Sequence, residues 1–277
     1  MFRCPVCRLA LLPPHAAPPT PWTCESGHSF DVAREGYVNL LITHQRRQRE
    51  PGDSAEMLQH RRRFLDAGYY RPLAEAVAAH ARPGMAVLDA GCGEGYYTRT
   101  WPDDHDDLGV WAVDIAKPAM RLAAKRGQTA GRSPHYAVAS VYDLPVVDAS
   151  IDLALSVFAP LHSPEFERVL RPGGRLVTVT PGPDHLDGLK AKLFSEPESH
   201  PERGPFDGDD ATTRLVPSGT QRLRFDLELR EADAVADLLN MTPYAWYVSP
   251  EVRLSVVSER FLSTSADFLV SSYELPL

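Results

Sequence analysis

Four metal-ligating side chains stand close together near the start of the chain. Cys4 and Cys7 form a Cys-x-x-Cys pair, and Cys24 and His28 follow as a Cys-x3-His pair. Two short pairs joined by a longer connector suit a tetrahedral Zn²⁺ ion, and three cysteines with one histidine leave no coordination position open for chemistry. The pattern therefore predicts a structural zinc site whose metal binding also folds the segment. A redox-active Cys-x-x-Cys is the alternative.

A second stretch with chemical meaning begins at Met85. Its first residues predict a buried strand that ends at Asp89. Glycines follow at every second position, Gly91, Gly93 and Gly95, before a helix begins. Such a loop brings backbone N–H groups and a helix N-terminus close to a bound ligand. The spacing of the last two glycines departs from the dinucleotide-binding fingerprint, and a plain tight turn is the alternative.

The next predicted strand, 109–113, ends at an acidic residue, Asp114. An acid at this place in an open α/β sheet accepts hydrogen bonds from the hydroxyl groups of a bound ribose. The alternative is a helix N-cap, because Lys117 and Pro118 begin a predicted helix just after it. Both roles are compatible, and we predict the ribose contact.

Alternating strands and helices make up the rest of the chain and must position these residues. After the third strand, Ser140 occupies the place of an acid that would border an adenine, and Asp143 is predicted to be a turn residue. The loop 158–160 follows the fourth strand, where open α/β sheets face their ligands. The last two strands complete a predicted seven-stranded sheet. The predicted strands are 86–88, 109–113, 136–139, 151–157, 175–177, 222–229 and 266–273, and the main predicted helices are 55–70, 73–81, 118–126 and 231–239.

Composition limits the class of protein. The 277 residues allow one large domain or one ordinary domain with a small appendage, and a hydrophobic content of 43% suffices for a core. A net charge of −8 argues against a general polyanion-binding surface, so a nucleic-acid contact must use a local basic patch. We find no signal-peptide pattern and no apolar run of membrane-spanning length, and we expect a cytoplasmic protein.

A basic segment follows the predicted zinc module. It contains Arg46, Arg47 and Arg49, and its charge is opposite in sign to that of the whole chain. Arg61 and Arg62 lie on the predicted helix that comes next. We predict that these five arginines contact nucleic-acid phosphates. A solvated connector is the alternative for the segment.

Two motifs together resemble class I S-adenosylmethionine-dependent methyltransferases. One is the Asp-x-Gly-x-Gly-x-Gly run from Asp89 to Gly95, and the other is Glu-Arg-Val-Leu-Arg-Pro-Gly-Gly-Arg-Leu-Val at 167–177. The two motifs and the chain between them cover about 87–180. The resemblance implies an α/β fold with a Rossmann-like seven-stranded sheet, and it implies S-adenosylmethionine as the cofactor.

Further blocks over nearly the whole chain resemble the RlmA family of 23S rRNA (guanine-N1)-methyltransferases. They include the zinc pattern, Glu-Gly-Tyr-Val-Asn-Leu-Leu at 35–41, Pro-Gly-Asp-Ser-Ala-Glu-Met at 51–57, Thr-Pro-Gly-Pro-x-His-Leu at 180–186 and Leu-Leu-x-Met-Thr-Pro-x-Ala-Trp at 238–246. The zinc connector and 195–219 depart from the family pattern. The resemblance implies methylation of guanine N1 in a 23S rRNA hairpin at the peptide exit tunnel, by a homodimer whose zinc module binds RNA.

By the same resemblance, eight residues are expected at the cofactor: Tyr70, Asp89, Gly91, Gly93, Tyr97, Thr98, Asp114 and His185. For Tyr70 the alternative is the end of a core helix, and for His185 it is a helix cap. The predicted division of the chain is a zinc-binding RNA-recognition module at 1–36, a basic linker with helices at 37–80 and a methyltransferase domain at 81–277.

One branch of the family acts on a neighbouring guanine and confers resistance to tylosin- or mycinamicin-type macrolides. The Ala-, Arg- and Pro-rich composition resembles that of proteins from high-GC actinobacteria and favours this branch. Two other functions stay open, a small-molecule methyltransferase and a non-catalytic zinc-dependent RNA-binding protein. The zinc module argues against the first, and the intact glycine loop argues against the second. Tyr142, Phe158 or Trp246 is expected to stack on the target base, and the sequence identifies no general base.

Overall fold

The computed structural model describes residues 1–13, 20–42, 53–101, 108–129, 134–202, 204–206 and 212–277. Within these ranges the chain forms one eight-stranded sheet and a separate two-stranded hairpin. The strands are β1 Trp22–Thr23, β2 Ser29–Phe30, β3 Tyr37–Asn39, β4 Ala86–Ala90, β5 Gly109–Asp114, β6 His135–Val138, β7 Ile151–Val157, β8 Leu170–Pro181, β9 Val216–Leu229 and β10 Leu262–Glu274. The helices are α1 Ala55–Asp66, α2 Arg71–Ala78, α3 Tyr96–Arg99, α4 Lys117–Thr129, α5 Ser163–Val169, α6 Asp187–Leu193, α7 Ala232–Asn240 and α8 Pro250–Val257.

The strand order of the large sheet is β3-β6-β5-β4-β7-β8-β10-β9. The strands from β3 to β8 run parallel, and β10 is antiparallel to both of its neighbours. The order changes direction at β4, since the chain adds β5 on one side of it and β7 on the other. In open α/β sheets, ligands bind outside the carboxyl ends of the strands at such a point. The glycine loop after β4 lies there.

β4 and β7 lie at the centre of the sheet and are covered by helices on both of its faces. Val87 packs in the core on one face, with α1, α2 and α7, while its neighbour Leu88 packs in the core on the other face, with α5. All seven residues of β7 are buried, as expected for a parallel strand covered on both faces. The predicted bounds of this strand are confirmed.

An eighth strand joins the seven that were predicted. β3 pairs in parallel with β6, from Tyr37 opposite Tyr136 to Asn39 opposite Val138. Tyr37 and Val38 are buried, which explains the apolar character of this segment. The segment between the zinc pattern and the basic residues therefore contributes to the large sheet itself.

The observed helices differ from the predicted ones mainly at their ends. The Ser54 side chain accepts a hydrogen bond of 3.2 Å from the Met57 N–H and caps α1, as predicted. α1 ends at Asp66 rather than near Tyr70, because the chain turns through Gly68 and Tyr70 becomes the N-cap of α2. The sequence analysis did not predict α8. None of the helices in the described ranges combines the length and apolar character of a membrane span.

Candidate active site and metal centre

The glycine loop is fixed to the neighbouring strand by its own backbone. The N–H groups of Gly91 and Cys92 donate to the carbonyl oxygen of Val113 at 2.8 and 3.0 Å. The Gly93 N–H donates to Asp114 Oδ2 at 2.9 Å. The loop thus joins the ends of β4 and β5 before the short helix α3 begins.

Two glycines of this loop differ in what surrounds them. Gly91 has φ +78°, and a Cβ atom placed there would lie 2.3 Å from the Cβ of Ala159. Gly93 has φ +55°, and a Cβ there would have no described protein atom within 4 Å. Packing against the loop after β7 therefore requires glycine at position 91. Position 93 faces open space in which a ligand can approach the backbone.

Asp89 is a buried carboxylate with an unpaired oxygen. The residue is 2% exposed, and its Oδ2 atom has no hydrogen-bond partner in the part of the chain that the structure describes. Burial raises its pKa to about 7. The buried Thr98 hydroxyl faces this carboxyl and opposes the rise in its pKa. A buried polar atom left unpaired is costly, so the Oδ2 atom of Asp89 indicates a ligand that offers hydrogen-bond donors or positive charge.

Asp114 already accepts two backbone hydrogen bonds. Its Oδ1 accepts from the Ala116 N–H at 2.7 Å, in addition to the bond from Gly93. Burial raises the pKa of Asp114, and the two N–H groups oppose this rise. The bond to Ala116 closes a turn ahead of α4, which begins at Lys117, so none of the described N–H groups inside the helix donates a hydrogen bond to Asp114. A carboxylate offers about four lone-pair positions, so a ribose contact fits beside these bonds and stays a prediction.

Beyond the glycine loop lies a cluster of rings, called the aromatic wall below, that comprises Phe64, Tyr70, His185 and Phe268. Tyr70 is buried and packs edge-on against Phe64 and Phe268, with ring centroids 5.2 and 5.0 Å apart. The His185 ring lies 4.9 Å from Phe268 and 6.4 Å from Tyr70. Burial raises the pKa of Tyr97, and the nearby Tyr70 hydroxyl adds to this rise. The structure therefore brings together three residues that the resemblance assigns to the cofactor.

His185 is held as a neutral ring. Its Nδ1 accepts a hydrogen bond of 3.3 Å from the backbone N–H of Asp267. Burial lowers the pKa of His185 to about 3, so the ring carries a single proton at neutral pH. Because Nδ1 is the acceptor, that proton resides on Nε2 and makes it a donor. The helix-cap alternative is not supported, since Leu186 rather than His185 is the N-cap of α6.

Phe158 connects the glycine loop to the aromatic wall. It follows β7 with φ +54°, an uncommon conformation for a residue with a side chain. Its ring lies 6.3 Å from His185 and 5.6 Å from Phe268, yet 45% of the residue is exposed. One face of an aromatic ring is therefore available at the carboxyl edge of the sheet.

The four predicted metal ligands converge. The sulfur and nitrogen atoms of Cys4, Cys7, Cys24 and His28 all lie within 4.8 Å of one another. Cys24 Sγ is 3.6 Å from Cys7 Sγ and 3.4 Å from His28 Nδ1. Each pair lies at a tight turn, and the hairpin β1–β2 brings the second pair towards the first. These donors suit tetrahedral Zn²⁺, and the residues fit a structural zinc site.

The candidate metal centre is anchored by polar contacts to the segment between β6 and β7 of the large sheet. The Arg8 guanidinium donates to both Asp143 oxygens, at 2.6 and 3.1 Å. The Arg3 backbone N–H donates to the Pro145 carbonyl oxygen at 2.9 Å, and its side chain pairs with Asp148 at 3.1 Å. Asp143, predicted to be a turn residue, is also an ion-pair partner that joins the zinc module to the loop after β6.

The predicted phosphate-binding arginines have different surroundings. Arg46, Arg47 and Arg49 lie outside the described residues. Arg61 pairs with Asp53 and donates to the Met241 carbonyl oxygen at 3.1 Å, which ties α1 to the end of α7. The side chain of Arg62 is 47% exposed and lies 3.6 Å from Asp66. The RNA contacts of Arg61 and Arg62 stay predictions, and Arg61 has a structural contact that the sequence did not indicate.

Sequence reasoning missed two groups at the aromatic wall. His200 Nε2 lies 3.1 Å from the Tyr244 hydroxyl, and the His200 ring is 6.3 Å from the His185 ring. Tyr244 belongs to the 3₁₀ helix Pro243–Trp246. His200 lies in a polar, proline-rich segment with no periodic pattern, so no local signal indicated its position.

Two family models match the chain. Residues 88–178 match a methyltransferase domain, and residues 2–49 match the RlmA N-terminal zinc ribbon. A proposed 23S rRNA (guanine-N(1)-)-methyltransferase of Micromonospora griseorubida is 37% identical over 96% of this chain and 94% of its own. The 23S rRNA (guanine(748)-N(1))-methyltransferase of Streptomyces fradiae is 36% identical over 90% of this chain and 87% of its own. A proposed 23S rRNA (guanine-N(1)-)-methyltransferase of Bacillus subtilis is 32% identical over 98% and 94%.

Solved structures show the same fold at low sequence identity. A proposed methyltransferase of Bacillus halodurans superposes with a TM-score of 0.50 and 15% identity, over 76% of this chain and all of its own. A chain from the complex between the Haloferax volcanii Trm112 methyltransferase activator and a proposed methyltransferase gives 0.51 and 17%, over 82% of this chain and all of its own. The predicted class I methyltransferase fold is confirmed.

Proposed function

Because the chain belongs to the RlmA family of 23S rRNA (guanine-N1)-methyltransferases, we propose that it methylates N1 of a guanine in the 23S rRNA hairpin at the peptide exit tunnel. S-adenosylmethionine is its cofactor, as the methyltransferase domain implies. One observation carries the proposal most directly. Asp89, near the carboxyl end of β4, keeps a buried carboxylate oxygen without a partner among the described residues, and the loop that follows leaves open space at Gly93, on a chain that also holds a Cys3His cluster.

The residues at the glycine loop fit S-adenosylmethionine, which carries a sulfonium and an ammonium group. Asp89 offers the negative charge that such a cation needs, and Gly93 leaves room for close approach. Asp114 would receive the ribose hydroxyls at the end of β5. The Nε2–H of His185 would donate to an acceptor on the cofactor. Bound there, S-adenosylmethionine supplies an electrophilic methyl group.

The affinity for S-adenosylmethionine is expected to depend on the ionisation of Asp89. A carboxyl with a pKa of about 7 loses its proton as the pH rises through 7, and the cationic ligand favours the ionised form. The dissociation constant should therefore fall about tenfold between pH 6 and pH 8. Calorimetric titrations over this range measure it.

An Asp89→Asn variant provides the control for this dependence. It should bind more weakly at every pH and show a flat profile between pH 6 and pH 8. A wild-type affinity that does not change across the range would contradict the assignment of Asp89 to the cofactor.

The target base must leave its stack before it can react. Guanine N1 lies on the pairing edge, so the nucleotide has to turn into the pocket. The exposed ring of Phe158 at the carboxyl edge of β7 supports a stacking role for this residue. Tyr142 and Trp246 are also exposed, and they remain candidates for contacts with flanking bases.

RNA binding is assigned to the N-terminal part of the chain. We place zinc-dependent RNA recognition at 1–36, a basic linker with helices at 37–80, of which 37–39 form β3 of the large sheet, and the catalytic domain at 81–277. A triple variant in which Arg46, Arg47 and Arg49 become alanine should bind the rRNA hairpin more weakly. The slope of log K against log salt should also decrease in magnitude by about 2, since fewer counterions are released.

The salt series needs a matched control. Arg82 precedes β4, and Arg175 pairs in register with Leu153 near the amino end of β7, so both lie towards the edge of the sheet opposite the glycine loop. The proposal places no RNA on this face of the protein. Replacement of both arginines by alanine should therefore leave the slope of log K against log salt at the wild-type value. Equal slopes for the wild type and the triple variant would refute the role of the basic segment.

One experiment separates this function from its alternatives. Unmodified 23S rRNA is incubated with labelled S-adenosylmethionine, and the methylated base is mapped by primer extension. Methylation of guanine N1 in the tunnel hairpin supports the proposal, and label on a small molecule alone would indicate the alternative substrate class. Cofactor binding without transfer would contradict the proposed enzymatic activity.

The same mapping identifies which guanine of the hairpin is methylated, and this distinguishes the macrolide-resistance branch from the rest of the family. Identity is higher to the Streptomyces and Micromonospora relatives than to the Bacillus relative, and this supports the resistance branch. The family resemblance extends the proposal to a homodimer, and the rRNA substrate implies a cytoplasmic location. Sedimentation of the purified protein tests the oligomeric state.

A further inference from the structure

Guanine N1 carries a proton that must leave before or during methyl transfer. The proposed function therefore needs a proton acceptor near the target base. Most ionisable groups at this edge of the sheet are already occupied. Tyr70 and Tyr97 are phenols whose pKa values are raised by burial, and they stay protonated at neutral pH. Asp114 is occupied by two backbone N–H groups.

His185 is excluded as the proton acceptor by its hydrogen bond. The lone pair of Nδ1 points at the Asp267 N–H, and Nε2 carries the proton of the neutral ring. Asp267 is itself fixed, because Arg222 contacts both of its carboxylate oxygens at 2.8 Å. The ring therefore acts as a donor only. It can neither rotate to exchange its nitrogens nor accept a proton without breaking this contact.

His200 lies beside His185, and among the described residues no backbone N–H group donates a hydrogen bond to its ring. Its ring lies 6.3 Å from the His185 ring, and its Nε2 pairs with the Tyr244 hydroxyl at 3.1 Å. Tyr244 is positioned by edge-on packing against Phe194, with centroids 5.9 Å apart. In the tautomer that a proton acceptor requires, Nε2–H donates to the Tyr244 oxygen, and Nδ1 then has a lone pair to which none of the described residues donates a hydrogen bond.

The groups around His200 favour its neutral form. Burial lowers its pKa below the usual value, and the Lys190 ammonium group on α6 lowers it further. His185 faces it as a neutral ring, and burial raises the pKa of the Tyr244 phenol, which therefore stays uncharged. A neutral imidazole with a free lone pair is the form that accepts a proton.

We propose that His200, oriented by Tyr244, accepts the N1 proton of the target guanine. The N–H bond breaks and its electron pair, left on N1, forms the new bond to the methyl carbon. The C–S bond of S-adenosylmethionine breaks, and its electron pair remains on sulfur, which gives neutral S-adenosylhomocysteine. The imidazolium then releases its proton to water. This inference rests on the proposed function and identifies the base that the sequence left unassigned.

The test compares His200→Gln with wild type on unmodified 23S rRNA, under single-turnover conditions and over a range of pH. General-base catalysis contributes about 10²–10⁴-fold, so the methylation rate at neutral pH should fall by that factor. The affinity for S-adenosylmethionine should stay within about twofold of wild type. The wild-type rate should be level at neutral pH and fall in acid, whereas the variant rate should rise steadily with pH as the guanine ionises in solution.

Two further variants distinguish a proton acceptor from a merely structural residue. Imidazole added to His200→Ala should restore part of the rate, because it can occupy the vacated position. His80→Gln provides the matched control, since His80 is also half-buried and its pKa is also lowered by burial, but it follows α2 away from the wall. Its pH profile should match that of the wild type.

The outcomes separate the inference from the function on which it rests. If wild type methylates guanine N1 and His200→Gln keeps the wild-type rate and pH profile, the inference is wrong while the function stands. If wild type transfers no methyl group to guanine N1, the proposed function fails first. Loss of activity in His200→Ala without any rescue by imidazole, together with loss of cofactor binding, would indicate a structural role and overturn the inference.

Discussion

Gly91→Ala is expected to abolish measurable binding of S-adenosylmethionine. The new Cβ would lie 2.3 Å from the Ala159 Cβ, and the backbone at φ +78° is unfavourable for a residue with a side chain. The overlap and the strained backbone together should cost about 2–5 kcal/mol of folding free energy. The glycine loop has to move away from Ala159, and a displacement of about 1 Å is enough to disrupt a positioned ligand.

A second substitution makes this prediction specific. Ala159→Gly removes the atom that the new side chain meets, so the double variant should regain cofactor binding apart from the backbone cost at position 91. Calorimetry gives the affinity, and thermal denaturation gives the stability of all three variants. Normal binding by Gly91→Ala alone would contradict the close packing of the loop after β4 on the loop after β7.

Removal of zinc is expected to unfold the N-terminal hairpin and to reduce rRNA methylation to background. The binding free energy of a structural zinc site is about 10–16 kcal/mol in small modules, and it is also folding free energy. Trp22 and Leu11 are buried by the folded module and pack with Leu144 and Val146 of the catalytic domain. S-adenosylmethionine should still bind, because the backbone of β5 and the packing of Ala159 hold the glycine loop.

Hydrogen exchange measures the loss of the hairpin directly. After treatment with a strong chelator, or in a Cys24→Ser variant, the amides of Trp22–Thr23 and Ser29–Phe30 should lose their protection. Zn²⁺ should restore both protection and methylation in the chelated wild type, and Mg²⁺ should restore neither. Retained protection after elemental analysis has shown that the metal is gone would refute a structural role for zinc.

Local patterns in the sequence were sufficient for the zinc ligands, the glycine loop and most of the strands. The Cys4 to His28 spacing and the run from Asp89 to Gly95 each describe one short piece of backbone, and a short piece can be interpreted without knowledge of its partners. β7 could be predicted equally well, because a strand that is buried on both faces requires an unbroken apolar run.

Contacts between distant segments could not be predicted from local sequence patterns. β3 is three residues long, and its partner β6 lies far along the chain, so only tertiary pairing defines it as a strand. Arg61 was predicted only as an RNA contact, because nothing in the local sequence indicates its hydrogen bond to the Met241 carbonyl oxygen. The same holds for Arg8 with Asp143, and for His200, whose place beside His185 depends on the path of an irregular segment.

The strand at Tyr37–Asn39 has an evolutionary consequence. It covers the backbone edge of β6, and an uncovered parallel edge invites pairing with other chains. A chimaera that joins the first 36 residues of one relative to the sheet of another keeps this edge covered only if the donor of the sheet also contributes 37–39. Residues 37–39 are therefore expected to be inherited with the sheet that they cover, and a recombination point between His28 and Tyr37 leaves this edge paired.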